Sequence, residues 1–359
     1  DLAIAKEKIK VHIMSVGGDF GGKSSLIDVP ICYFLAERSG RPVKMALEYS
    51  EELMAGAHRH PAVITLRTGV EEDGTLCAVE AKIIYGGGAY AAFKINPEVT
   101  VLGGRRLASY YRVPAIKAET YCVYTNQVPC TQTRTPGSPQ VVFAMESQMD
   151  IIARELGLDR VAIRMRNLLK PGDASPMGER WQHICVRETL KKALQASGWK
   201  RSKPGKNCGR GLALYERGTP SGKASAAITV EDDGGITILT GVPDVGPGFY
   251  TVIQQIVSET LGIGPEKVGV RFEDTDSLPY DPGTGGSKST NTSGHAAYKA
   301  AREVREMLVG VAARTLGCKA EEVRQANGRF TAPRSKGVSF DQIARTAVRE
   351  NGGGGGSEP

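Results

Sequence analysis

Aromatic residues are scarce in this chain, its cysteines are unclustered, and it has no long apolar run. Each absence removes a class of function. Aromatics make up only 6% of the residues, and the basic residues form no tract longer than a pair such as Arg105-Arg106 or Lys191-Lys192. A base-stacking platform for nucleic acid needs both features, so nucleic acid is not an expected partner. The seven cysteines are widely spaced and contain no C-x-x-C pair. That spacing argues against a disulfide framework, a structural zinc site or an iron–sulfur centre, and it points to a reducing cytoplasm. The five histidines are dispersed as well. No segment approaches the length needed to cross a bilayer, so no membrane span is expected. The net charge of +7, from 46 basic and 39 acidic residues, favours an anionic ligand or acidic partner.

Glycine is what the chain has in quantity, and its placement is informative. Gly17-Gly18-Asp19-Phe20-Gly21-Gly22-Lys23 and Gly283-Thr284-Gly285-Gly286-Ser287-Lys288-Ser289-Thr290 each lie between a strand-like and a helix-like run. Two more junctions share the pattern: Gly241-Val242-Pro243-Asp244-Val245-Gly246-Pro247-Gly248, and Thr133-Arg134-Thr135-Pro136-Gly137-Ser138-Pro139-Gln140. Glycine lets a backbone approach a ligand closely, and the first N–H groups of a helix lack internal partners. The helix dipole adds partial positive charge at the same place. A single loop of this kind is weak evidence, since Gly/Pro loops also simply end strands. Four together predict backbone amides converging on a large polyanionic ligand in a shared cleft.

The expected fold is α+β, with two similarly built lobes of mixed sheets and helices. The first lobe spans 1–175, a crossing segment 176–209, the second lobe 210–350 and a glycine-rich tail 351–359. In the first lobe the pattern predicts a strand Val11–Val16, a glycine loop and a helix from about Ser25 to Glu37. Pro30 fits that helix only if the first turn begins near Asp28. A strand Pro42–Glu48 and a hairpin follow, the hairpin pairing Ala62–Gly69 with Leu76–Tyr85 across Asp73-Gly74. Gly86-Gly87-Gly88 should form a bulge. A helix carries Phe143, Met149, Ile152 and Leu156, and a short one runs Arg187–Ser197. The second lobe predicts strands Ala224–Val230 and Ile236–Thr240, a helix Tyr250–Leu261, a strand Val268–Glu273 and a long helix from about His295 to Leu316. The order strand–Gly loop–helix–Gly–strand at 11–48 and 236–273 reads as a distant internal duplication. Both ends read as cut, because residue 1 is not Met and Asn351–Pro359 resembles a flexible linker.

Taken in order, these motifs resemble those of the molybdenum hydroxylases: xanthine dehydrogenase, aldehyde oxidase and the large chain of aerobic carbon monoxide dehydrogenase. The matched features run from Gly17–Lys23 through Arg41-Pro42-Val43-Lys44, Arg59-His60-Pro61, Asp73-Gly74-Thr75, Gly88-Ala89-Tyr90 and Tyr124-Thr125-Asn126. They continue with Arg134 to Gln140, Phe143 to Asp150 and Gly285 to Ser289. The resemblance implies a molybdenum–pyranopterin cofactor, in bacteria often as its cytosine dinucleotide form, with no direct ligation of the metal by a side chain. It implies cofactor contacts from Gly18, Phe20, Gly21, Gly22, Gly246, Gly248, Gly285, Gly286, Ser287 and Ser289. Arg134 would lie close to both substrate and metal, with Ser24 and Pro136 in the substrate pocket. The family hydroxylates an electron-poor carbon with water as the oxygen source. A glutamate takes the proton, and electrons leave through iron–sulfur clusters and FAD on partner chains or domains of an oligomeric complex.

Several positions depart from the family pattern. The family's glutamate base lies in a motif beyond residue 359, and Glu358 lacks the surrounding sequence. Ser24 stands where purine-oxidising members carry glutamate, which argues against a xanthine-type substrate. Pro247 replaces a common glutamine, and Asp19 puts a carboxylate beside an anionic cofactor. The stretch from Asn126 to Arg134 lacks the Cys-Ser-Phe-Arg pattern of carbon monoxide dehydrogenases. Three readings therefore stay open. The first is the cofactor-binding portion of a catalytic subunit, the second a scaffold chain of the same family that has lost its chemistry. The third is a nucleotide-binding module, since Gly17 to Ser24 satisfies Gly-x-x-x-x-Gly-Lys-Ser.

Overall fold

The computed structural model describes residues 4–14, 16–24, 28–91, 98–200, 205–231, 233–272 and 274–352. The chain forms two compact units, one of Phe20–Gly218 and one of Asp1–Asp19 with Thr219–Pro359.

In the unit Phe20–Gly218, α1 (Asp28–Ser39) and α2 (Tyr49–Ala55) precede the hairpin of β1 (Ala62–Val70) and β2 (Leu76–Gly88). Helix α1 is described from Asp28, and the expected start near Ser25 lies outside the described residues. The hairpin turn closes through Gly74 at φ +86°, with the Asp73 carboxylate accepting from the Thr75 amide. The expected bulge is present: register shifts between Gly86 and Gly88. A crossover containing the 3-10 turn Val101–Arg106 leads to β3 (Ala115–Tyr124), parallel to β2. Then come α3 (Ser138–Glu155), α4 (Arg160–Asn167) and α5 (Val186–Ala196). The core packs Leu76, Val79, Ile83 and Tyr85 of β2 against Val141, Met145, Met149 and Ile152 of α3.

In the other unit, β4 (Ala227–Val230) and β5 (Ile236–Leu239) form a hairpin. Next come α6 (Phe249–Leu261), β6 (Val268–Arg271) parallel to β5, and the 28-residue α7 (Ser289–Leu316). A small antiparallel sheet of β7 (Arg324–Ala326), β8 (Arg329–Thr331) and β9 (Val338–Ser339) and helix α8 (Phe340–Gly352) complete it. Ile253 and Val257 of α6 meet Ala297, Ala301, Val304 and Leu308 of α7 in the core, as their helical spacing requires.

The two units therefore share a topology: an antiparallel hairpin, a helical crossover, a parallel third strand, a glycine loop, then a helix on the hairpin. Helix α3 packs on β1, and α7 packs on β4. The repeat pairs residues 62–155 with 227–316, which corrects the pairing read from the sequence. The correction has a physical cause. Neither Pro42–Glu48 nor the described residues of 11–16 form a strand; among the latter, His12 makes one isolated bridge to Asp274. A β-branched run becomes a strand only where a ladder partner is available, and here Val11 and Met14 stay exposed. Strand β4 also starts at Ala227 instead of 224, and α7 starts six residues earlier than its apolar stripe indicated.

Candidate functional site

In the unit Phe20–Gly218, residues 58–60 and 20–21 flank the segment 130–137. The Thr131 amide donates to the His58 carbonyl, and the Arg134 amide donates to the Phe20 carbonyl at 2.7 Å. The exposed Arg134 guanidinium lies over the Phe20 ring, 5.7 Å from its centroid. Gly21 is fixed at φ +90°, and a Cβ there would overlap the Gln132 carbonyl oxygen. The loop is braced from beneath. Tyr85 donates to the Gly137 carbonyl (2.7 Å), Gln140 to the His60 carbonyl (2.6 Å) and Arg59 to the Arg134 carbonyl (3.0 Å). Pro136 is part-buried in the same turn, next to Gly137, the left-handed residue that opens α3. Gly22 begins the short 3-10 turn Gly22–Ser24, and the Ser24 side chain lies outside the described residues.

This segment suits an anion. Burial and then the Arg134 charge push the Arg59 guanidinium below its ordinary value. Neither arginine has a carboxylate ion pair among the described residues. Two buried donors on this seam also lack partners there, Arg59 Nη1 and Thr133 Oγ1, as does one acceptor, Gln140 Oε1, which an anion would not satisfy. Polar atoms left in this way cost free energy unless a bound group or water meets them. Arg59, Gln132 and Thr133 were not singled out as functional residues from the sequence. Arg59 acts through Arg134, 75 residues on, and Gln132 through Gly21, on a separate segment, for which local pattern gives no signal; Arg59 was visible only as part of an Arg-His-Pro motif.

The other unit holds the second cradle. The Asp19 amide donates to the Val245 carbonyl (3.2 Å), and the Val16 amide to that of Asp244 (3.2 Å). This brings Gly18 so close that a Cβ on Gly246 would lie 2.9 Å from the Gly18 Cα, with Gly246 itself at φ +105°. Thr284 Oγ1 donates to the Pro243 carbonyl (2.6 Å), which ties the 283–289 loop to the same place. The amides of Gly246 and Gly248, expected as ligand donors, both donate to Asp244 Oδ1 instead, at 3.0 and 3.2 Å. The loop is thus organised by its own carboxylate. Gly246→Ala should lower the stability of this unit by roughly 1–3 kcal/mol, the cost of a sterically blocked backbone. Urea unfolding checks this, and a midpoint equal to wild type would contradict it.

Gly285, Gly286, Ser287 and Ser289 lie together at the N-terminus of α7. Its N-cap residue, Lys288, makes no side-chain cap bond. A Cβ on Gly285 would meet nothing within 4 Å, and one on Gly286 would meet only Pro220 Cγ, at 3.7 Å. Gly286 and Ser287 have consecutive left-handed φ values of +62° and +63°. An uncapped helix start with open space before it is a ready anion cradle.

Two matches to the molybdopterin cofactor-binding domain cover residues 2–168 and 187–357. The chain belongs to the molybdenum hydroxylase family. Among its relatives, a probable xanthine dehydrogenase subunit of Bacillus subtilis is 32% identical over 330 residues, covering 89% of this chain and 44% of that one. The xanthine dehydrogenase molybdenum-binding subunit of Escherichia coli O157:H7 is 33% identical, covering 85% and 42%. Quinoline 2-oxidoreductase from Pseudomonas putida 86 shares the fold at a TM-score of 0.87 and 23% identity, over 99% of this chain and 49% of that one. The chain thus spans less than half the length of these relatives. Among the described residues no helix is long and apolar enough to cross a membrane. No cluster of three or more His, Cys, Asp or Glu residues there could hold a metal ion.

Proposed function

We propose that this chain is the cofactor-binding portion of a molybdenum hydroxylase catalytic subunit. The whole enzyme would hydroxylate an electron-poor carbon of an aldehyde or N-heterocycle, with water as the oxygen source. The observation that carries this reading is the uncapped, open start of α7 behind Gly285, in a chain of the molybdopterin-binding family. When bound, the molybdenum–pyranopterin supplies the redox chemistry, and the protein supplies orientation, charge and proton handling.

The chain's own residues would divide that work. The backbone amides of Gly285, Ser287 and Ser289 and the hydroxyls of Ser287 and Ser289 would donate to a cofactor phosphate, each charge-assisted bond worth about 1.5–3 kcal/mol; the Lys288 amide is taken by the Gly285 carbonyl. Gly18 and Gly246 would set the wall beside it. Phe20, Gly21 and Gly22 would bring backbone amides towards the pterin and metal, while Arg134, held by Arg59 and stacked on Phe20, would present its charge to substrate. Ser24 and Pro136 would line the substrate pocket. The general base is proposed to lie outside this chain, with iron–sulfur and flavin groups on partner subunits or domains of a cytoplasmic complex.

Elemental analysis and fluorescent pterin extraction, on protein from a molybdate-supplied host, test this reading. Wild type should carry molybdenum and pterin in equal amounts. Ser289→Ala should lower both by a few-fold, because one donor is lost while the loop stays in place. Saturable binding of a nucleoside triphosphate with no pterin would overturn it in favour of a P-loop-like site.

A further inference from the structure

Arg134 and Arg59 sit together with no acidic residue to balance them. The three segments that meet there, 20–24, 56–61 and 125–140, contain no aspartate or glutamate. Arg59 Nη2 donates to the Arg134 carbonyl at 3.0 Å. Burial first, and the Arg134 charge second, hold the Arg59 guanidinium below its ordinary value, and its Nη1 is buried without a partner. Two like charges placed together, one of them partly buried, cost free energy until a ligand supplies the opposite charge.

The backbone around Arg134 is held under strain as well. Phe20, at φ +51°, and Thr135, at φ +55°, are both left-handed, and Thr135 is β-branched and precedes a proline. Such residues persist only where their surroundings over-determine them, and they cluster at ligand sites. Here the Arg134 carbonyl accepts from Thr135 Oγ1 (2.7 Å) as well as from Arg59, and its amide donates to the Phe20 carbonyl. The main chain is thus fixed. The exposed guanidinium keeps one face over the Phe20 ring, and its N–H edges meet no acceptor among the described residues.

We propose that this site takes a substrate bearing a carboxylate, bound by the Arg134 guanidinium with the Arg59 charge behind it. The inference rests on the reading of this chain as part of a molybdenum hydroxylase, and it narrows the aldehyde or N-heterocycle to an anionic one. A cofactor phosphate is the other anion of suitable charge, and the local amides speak against it. Phosphate cradles at helix starts are built from free amides. At the start of α3 the Ser138 amide is spent on the Thr135 carbonyl, and Pro139 has none. The Thr133 and Arg134 amides are likewise spent, on the carbonyls of Thr131 and Phe20. What remains is a planar guanidinium fork, whose geometry matches a carboxylate.

Equilibrium dialysis of two matched probe pairs tests this, on the subunit expressed from its complete gene, with and without cofactor. The pairs are 4-formylbenzoate with its methyl ester, and nicotinate with nicotinamide. In at least one pair the carboxylate should bind the loaded protein about tenfold or more tighter than its neutral partner. Arg134→Gln should erase that preference and leave the melting temperature unchanged, because the side chain is exposed. Arg59→Gln should weaken the preference several-fold, and Arg59→Lys should restore most of it by returning the second charge. Three results would overturn the proposal. One is that neither pair shows a preference, absence of binding included. Another is a preference that survives Arg134→Gln or is untouched by Arg59→Gln. The last is a preference confined to the cofactor-free protein, which would give this charge to the cofactor's own anion. The enzyme reading fails separately, through wild type that takes up no molybdenum or pterin.

Discussion

Arg164→Met should destabilise the unit Phe20–Gly218 by about 3–5 kcal/mol, the usual cost of stripping one partner from a buried ion pair. Arg164 is fully buried on α4. It donates to Glu146 Oε2 (2.9 Å) and Asp150 Oδ1 (2.8 Å), and also to the carbonyls of Glu146 and Arg160. Tyr111 donates to the remaining Glu146 oxygen at 2.7 Å. Methionine would fill the space but leave the buried Glu146 carboxylate without a cation, while Asp150 would keep only Arg160, at 3.6 Å. Urea unfolding reads the loss, and a change under about 1 kcal/mol would show that the network adds little. The same burial makes the unit sensitive to alkali. Desolvation, then the Glu146 charge, push the Tyr111 phenol far above its ordinary value of 10.0. The folded state thus holds a proton that the unfolded chain releases near that value. The stability it contributes is complete below pH 10 and declines as pH rises above it. Tyr111→Phe should flatten that decline, as a pH series of unfolding midpoints would show.

Gly21→Ala should have the second largest effect, and at the candidate site itself. Its Cβ would overlap the Gln132 carbonyl oxygen and lie 3.4 Å from the Thr133 Cα, at a φ of +90°. Both obstacles are backbone, so no rotamer change relieves them. The segment must leave the seam, losing the Arg134–Phe20 backbone hydrogen bond and the stacking of Arg134 on Phe20. Strain of about 1–3 kcal/mol and a lost bond of about 0.5–1.5 kcal/mol add to a loss of roughly 1.5–4.5 kcal/mol. Cofactor content should fall with it. Unfolding and cofactor retention within error of wild type would contradict the assigned geometry.

Much of this fold could be read locally. Asp73-Gly74 marked the β1–β2 hairpin because an Asp-Gly turn carries its own geometry. Helix α6 showed itself through Val252, Ile256 and Thr260 and ended at Gly262, which adopts the left-handed C-cap. The misreadings share a cause, dependence on distant partners. Val11–Val16 has strand composition but lacks a strand neighbour. Gly246 and Gly248 looked like free donors until Asp244, in the same loop, turned its carboxylate onto them. At Gly286 the φ of +62° would strain any side chain even without ligand. The informative substitution is therefore at Gly285, which has open space around its Cβ position and an unexceptional φ.

The most direct measurement is molybdenum per folded molecule, with the melting temperature of the cofactor-free form, for wild type and Gly285→Val. If the start of α7 holds a cofactor phosphate, the valine side chain blocks its approach. Loss of one or two charge-assisted bonds then lowers molybdenum content by an order of magnitude or more, while the melting temperature stays unchanged. Undiminished molybdenum in Gly285→Val would remove this loop from the cofactor site.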